Sequence, residues 1–374
     1  MSRIARIEIS QHRLPLDPPF PAAWDRRPRR EFGVSVVRVF DSDGRMGFGA
    51  GEPMRGLVDY LDLFVGQEVA ELDRHAAILD NIAFHDGRPW PLDTALWDLA
   101  SREADRPLWQ MLGGASGRVR VYASSGIHRS PDESAERARA TIRDGFGALK
   151  LRFGRPEGIE ADLEVLGAVR EAVGPDVELM VDCNQGWRMP WDTQQPWDLP
   201  HALDLAEKVA GMGVYWLEEP LHRGDHIGMA RLRADSPVAI AGGEMTREVH
   251  EFDLMLAAGC LDVYQPDVAV TGGFLALASL ARRVVAAGHV FSPHTWGSGV
   301  GLLANAHLTA GTVGTPYLEY PLDPLEWTAE RRDFILAEPV AVVDGWIDLG
   351  NDPGLGTRLD DEALAATETD RAVY

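Results

Sequence analysis

From residue 118 onward the chain alternates between short apolar runs and longer stretches of helical period. The runs are RVRVYASS (118–125), GALKLRF (147–153), VELMVDCN (177–184), GVYWLEE (213–219), VAIAGGE (238–244), LDVYQPD (261–267), HVFSPHT (289–295) and TPYLEYP (315–321). Between them lie stretches such as DLEVLGAVREAV and GFLALASLARRVVAAG, whose apolar residues recur at helical spacing. Eight strand–helix repeats are what a closed (β/α)₈ barrel needs. Ahead of them, IARIEISQHRL, VSVVRVFD and RMGFGAGE read as strands, the last after an Asp43-Gly44 turn. The Pro- and Arg-rich segment 15–33 reads as a mobile loop. Residues 57–113 read as helical, most clearly around Leu92, Ala95, Leu96 and Leu99, and Gly113-Gly114 stops the pattern. Strands followed by helices predict a separate α+β module over about the first 115 residues. The tail PVAVVDGWIDLGNDPGLG returns to strand and turn residues and is expected to pack back on that module.

Three acidic residues each close one of the barrel runs: Asp182 in VDCN, Glu218 in LEEP and Glu244 in AGGE. They lie about 25 to 35 residues apart, the length of one strand-plus-helix unit, and strand ends on the carboxyl face of a barrel converge on one site. Three converging carboxylates repel one another unless a hard cation sits between them, and all-oxygen ligands select Mg²⁺. Other strand ends supply Lys150 and Arg152, two residues apart and so on one face, then Gln265 and Asp267, then His294 and Trp296, and finally Glu319. Asn184, two residues past Asp182, shares its face and could hydrogen-bond metal or substrate.

Taken singly, each of these has an ordinary explanation. A strand-end carboxylate is commonly a cap or ion-pair partner, a lone Lys or Arg a surface cation, and a lone His a satisfied core residue. Three acids in step, followed by Asp, His and Glu on the next three strands, favour a catalytic centre. An Asp beside a His fixes its tautomer and raises its basicity. Cations on one side of a metal and a His–Asp pair on the other suit proton abstraction from carbon next to a carboxylate. The metal and the cations stabilise the enediolate, and a flanking base removes the proton. Gly47-Phe48-Gly49-Ala50-Gly51 imitates a phosphate loop but lies between strands, not before a helix.

Composition narrows the partners. At 374 residues and 41.0 kDa the chain accommodates a barrel plus a second module. Its formal charge of −22 argues against nucleic acid or an anionic membrane, while leaving room for a small anionic substrate beside a bound cation. Two cysteines, Cys183 and Cys260, give no disulfide framework, and no run reaches the roughly 18 apolar residues of a membrane span, so the expected location is the cytoplasm. A metal hydrolase would want His-x-His on the first barrel strand, which RVRVYASS lacks.

These motifs, in this order, resemble the mandelate racemase subgroup of the enolase superfamily: ALWDLASREADRPLWQMLGG, Lys-x-Arg, VDCN, LEEP, AGGE, QPD followed by TGG, SPHTWGSG, YLEY and PGLG. The resemblance implies an α/β fold, a modified TIM barrel (β/α)₇β at 118–325 with an α+β capping domain at 1–117, completed by a C-terminal segment at 326–374. It implies that Asp182, Glu218 and Glu244 bind Mg²⁺, that Asp267 and His294 form the acid/base dyad, and that Glu319 hydrogen-bonds the substrate carboxylate. Loops near 17–31 and 52–60 would close over the substrate, making Trp24, Asp25, Arg26 and Met54 specificity candidates, with Trp296 beside them; a homo-oligomer is expected. One departure stands out. The subgroup carries Lys-x-Lys, its second Lys a base, and here that position is Arg152, a poor base and a good carboxylate clamp. Dehydration of a sugar acid to a 2-keto-3-deoxy acid by His294 is the leading expectation, with Lys150 the alternative base. An aldarolactone cycloisomerase or a hydroxy-acid epimerase is the enzymatic rival, and a catalytically silent scaffold the rival from another class.

Overall fold

The computed structural model describes residues 2–52, 56–312 and 315–374. Among the described residues, thirteen strands form two sheets. The antiparallel sheet contains β1 (Ile4–Phe20), β2 (Arg29–Asp41) and β3 (Met46–Gly51). The parallel barrel strands are β4 (Arg118–Ser124), β5 (Ala148–Arg152), β6 (Glu178–Asp182), β7 (Val214–Glu218), β8 (Ala239–Gly242), β9 (Val263–Tyr264), β10 (Val290–Phe291) and β11 (Leu318–Pro321). Two strands follow, β12 (Trp346–Asp348) and β13 (Glu368–Val373). The barrel order runs from β10 back to β4 and on to β11. At the remaining seam, Ser292 Oγ donates to the carbonyl of Tyr317 at 2.7 Å and Thr295 Oγ1 to that of Glu319 at 2.8 Å. This is the modified TIM barrel with an α+β cap that the motifs imply.

Strand alternation places the site. The barrel floor is a cluster of inward side chains that includes Tyr122, Ala148, Met180, Trp216, Val263 and Tyr317. Two residues further along the same strands come Ser124, Lys150, Asp182, Glu218, Gln265 and Glu319. The period of two therefore stacks a polar layer directly on an apolar one. Lys150 Nζ lies 5.6 Å from the Tyr122 ring centroid, at the boundary between the layers. Cys183, out of phase, is buried in the outer apolar cluster and faces the helical shell.

The helix Trp90–Glu103 is buried on nearly every side because it is wedged between cap sheet and barrel. Asp98 on it accepts from the backbone N–H of Phe48 at 2.9 Å and of Leu355 at 2.7 Å, and Asp93 accepts from Phe274 N at 2.9 Å. Trp90 Nε1 donates to Val270 O at 3.0 Å. A Cβ at Gly47 or Gly49 would collide with the backbone of this helix. The glycine-rich run in β3 thus permits close strand–helix packing.

Two segment readings need correction. Residues 15–20 continue β1 and 29–33 open β2, so the irregular connection shrinks to 21–28. Pairing with β2 reaches Pro15↔Glu31 and resumes at Phe20↔Arg29 across an irregularity, and the prolines of β1 have no N–H to leave unpaired. In the tail, β12 pairs antiparallel with β4 at the barrel, through Trp346↔Arg120 and Asp348↔Arg118. The residues after it return to the first module as expected: Trp109 Nε1 donates to Gly350 O at 3.0 Å and Leu108 N to Gly354 O at 2.9 Å, and β13 joins the cap sheet beside β1. Among the described residues no helix is long and apolar enough to cross a membrane.

Candidate active site

Asp182, Glu218 and Glu244 each offer a carboxylate oxygen within 4.8 Å of the others, and all three are buried. Ladder pairing of Asp182 with Glu218 fixes the first two side by side, and β8 hands the chain to Glu244 just beyond its end. Lys150 Nζ sits at 2.5 Å from Glu218 Oε1, 2.7 Å from Glu319 Oε1 and 3.5 Å from Asp182 Oδ2. Arg152 donates to Asp182 and to Asn184 Oδ1 and reaches the carbonyl of Ser125 at 3.2 Å. Glu218 also accepts from Gln265 Nε2 at 2.7 Å, and Glu244 from Trp187 Nε1 at 2.6 Å.

Burial pushes the Glu218 carboxyl up to about 8; Lys150 opposes the shift, while Asp182, Glu319 and Glu244 add to it. Such a cluster is short of positive charge, and a divalent cation supplies it. The donor set is all carboxylate oxygen, which fits a hard ion such as Mg²⁺.

On the opposite side, His294 Nδ1 lies 3.0 Å from Asp267 Oδ2. With Nδ1–H donating to that carboxylate, Nε2 is left free to act, and it faces the cavity 3.6 Å from Glu244 Oε2 and 3.8 Å from Glu319 Oε2. Asp267 is held in turn: its Oδ1 accepts from Asn305 Nδ2 at 2.8 Å and from Ala269 N at 2.9 Å. Burial lowers the His294 pKa, but Glu244, Glu319 and Asp267 outweigh it and raise the ring to about 10. A cation on Glu244 offsets the largest of those raising charges. Glu319 is pulled down to about 2, for burial is outweighed by Lys150 and His294. Its carboxylate accepts from Thr295 N at 2.9 Å and Trp296 Nε1 at 3.1 Å as well as from Lys150. It is therefore a buried anion already supplied with donors.

The cavity above these groups measures about 560 Å³ and lies under the cap. Trp24 and Trp296 line it, their centroids 5.1 Å apart and edge to face, and Arg152 lies 4.9 Å from the Trp24 ring centroid. Asn184 lines it as well. Asp25 and Arg26 do not: both line a neighbouring cavity of about 310 Å³, and Asp25 is engaged by Arg29. The turn at residues 21–28 points Trp24 inward and carries its two successors past the rim. Met54 lies outside the described residues. Trp187 and Asn305 escaped the sequence reading. Asn305, a polar residue inside the apolar helix Gly299–Ala310, carried a usable signal, because a buried amide needs a partner. Trp187 carried none, since nothing local ties it to Glu244.

Residues 133–363 match the family model described as enolase C-terminal domain-like. The D-galactarolactone cycloisomerase of Agrobacterium fabrum is 31% identical over 96% of both chains. The L-talarate/galactarate dehydratase of Salmonella typhimurium is 28% identical over 98% of this chain and 91% of its own. Among solved structures, an L-talarate dehydratase from a Polaromonas species, complexed with Mg and L-glucarate, superposes with a TM-score of 0.83 at 26% identity, covering 100% of this chain and 99% of that one. Mg²⁺ is accordingly the cofactor that fits the carboxylate cluster. The chain belongs to the enolase superfamily, among its mandelate racemase-like members.

Proposed function

We propose that this chain catalyses Mg²⁺-dependent β-elimination from a sugar acid, dehydrating an aldonate or aldarate to a 2-keto-3-deoxy acid. Asp182, Glu218 and Glu244 hold the ion, which when bound draws off the negative charge that develops on the substrate carboxylate. His294 Nε2 takes the proton from the α-carbon while Asp267 holds the ring at Nδ1. The same Nε2 then returns that proton to the departing β-hydroxyl, which leaves as water, and the enol product becomes the keto acid. Lys150 and Arg152 remain cationic and stabilise the charge on the substrate; burial lowers both pKa values, but the surrounding carboxylates raise them further.

The observation that carries this reading is an oriented base, His294, whose Nε2 lies 3.6 Å from Glu244 of the carboxylate cluster, with a guanidinium where a second base would stand. The dehydratases among the relatives support it. The test is incubation of the Mg²⁺-loaded protein with a panel of hexonates, pentonates and aldarates, followed by an assay for α-keto acid. Keto acid from at least one is expected, and none from any ends the proposal. The 31% identity to a galactarolactone cycloisomerase favours a second reading, the same elimination with a lactone ring oxygen as leaving group. Consumption of an aldarolactone, but of no open-chain acid, selects it. Solvent deuterium entering recovered substrate without keto acid selects an epimerase instead.

A further inference from the structure

Among the described residues, six arginines line the cavity: Arg29, Arg88, Arg152, Arg188, Arg223 and Arg247. Four of them are matched to a carboxylate. Arg29 engages Asp25, Arg88 lies 2.9 Å from Glu52, Arg152 engages Asp182, and Arg188 lies 3.9 Å from Asp192. Among the described residues, Arg223 and Arg247 have no carboxylate partner. Both are exposed, and in a chain of formal charge −22 they leave positive charge at the cavity that a ligand can take up.

Their backbones are fixed. Arg223 follows β7, and its N–H donates to Gly186 O at 3.0 Å. Arg247 follows β8, next to buried Thr246, whose N–H donates to Gly243 O at 3.1 Å and whose carbonyl accepts from Thr271. Two adjacent strands thus present two cations on braced turns, beyond the layer that holds Glu218 and Glu244. A guanidinium binds a carboxylate through a flat, pre-organised pair of donors.

We propose that Arg223 and Arg247 bind a second carboxylate at the end of the substrate remote from His294, so that the substrate is a dicarboxylic sugar acid, not an aldonate. The inference rests on the elimination reading for the placement of the first carboxylate. The arginines not already neutralised by this chain are neutralised by the ligand.

The experiment uses the Mg²⁺-loaded His294→Asn protein, in which binding is read without turnover. Calorimetry compares aldarates with aldonates of matching configuration, and 6-phosphogluconate serves as a control anion. At least one aldarate is expected to bind ten- to a hundredfold tighter than its aldonate, roughly tenfold for each arginine engaged. Adding Arg223→Met and Arg247→Met should erase that difference. Equal binding of aldarate and aldonate, no binding of any aldarate, or a preference that survives the double substitution each overturns the proposal. So does arginine-dependent binding of the phosphorylated acid in preference to every aldarate. Arginine-dependent aldarate preference in a protein whose wild type yields no keto acid leaves the clamp standing and removes the elimination reading instead.

Discussion

Replacing Asn305 by leucine tests whether the Asp267–His294 pair depends on its support. The amide is wholly buried and works in two directions, donating to Asp267 Oδ1 at 2.8 Å and accepting from Val268 N at 3.0 Å. Leucine has the same heavy-atom branching but a larger volume, so no cavity forms, and some overpacking adds to the polar cost. Loss of the charge-assisted bond and exposure of an unpaired buried N–H together cost about 3–5 kcal/mol. For 374 residues that corresponds to a Tm lowered by roughly 4–6 °C. The effect on turnover is separate. Asp267 keeps Ala269 N on the same oxygen but loses the donor that fixes its plane, so the imidazole it orients drifts. A misplacement of about 1 Å at a reacting group can cost about a hundredfold in rate. The expectation is kcat reduced ten- to a hundredfold with KM nearly unchanged, measured by the keto-acid assay well below the lowered Tm. A variant that loses stability but keeps wild-type kcat would refute the idea that Asn305 positions the dyad.

Three other substitutions probe the rest of the assembly. His294→Asn should abolish turnover and leave the circular dichroism spectrum and Mg²⁺ affinity near wild type; residual turnover at the wild-type rate would remove His294 from the mechanism. Mg²⁺ at a hundred times its Kd should stabilise the native protein by about 2.7 kcal/mol, seen as a rise in Tm that Asp182→Ala largely loses. No metal-dependent rise in the wild type would contradict the site. His307 is buried, its Nδ1 accepting from Trp109 N at 3.1 Å, and burial depresses its pKa to about 4. Because the folded pKa lies below the unfolded value near 6.5, the group's contribution is intact above about pH 6.5 and is lost on descending toward pH 4, about 3 kcal/mol in all. Denaturation at several pH values should show His307→Gln losing less stability than wild type over that window, and parallel curves would refute it.

Legibility in the sequence followed the range of the interaction. Strand alternation is local, so Lys150, Asp182, Glu218 and Glu319 could be placed on one polar layer from their phase alone. Residues 15–33 have the local composition of a loop because proline is a poor strand former, and pairing between β1 and β2 overrides that preference outside the turn at 21–28. The same distance effect hides the partner of β12, since β4 lies more than 200 residues earlier. Asp25 looked equivalent to Trp24 as a neighbour in sequence. A turn sends adjacent side chains in different directions, and only Trp24 reaches the cavity. Trp187 and Arg247 depend on which loops meet above the barrel, information that no local pattern holds.

The choice of reaction turns on Arg152. Its guanidinium donates to Asp182 and Asn184, lies 4.9 Å from the Trp24 ring centroid and is held protonated by the carboxylates around it. It cannot take a proton from carbon at any pH the fold survives. Lys150, the other cation on β5, is buried in ion pairs with Glu218, Glu319 and Asp182. Inverting a stereocentre by a two-base route needs proton transfer on both faces of the α-carbon. Elimination needs a base on one face, and a leaving oxygen on that face can receive the proton just removed. With His294 as the one oriented base, the proposed chemistry loses α-hydrogen and β-oxygen from the same side. The cations opposite then serve the charge that builds up on the carboxylate between those two transfers.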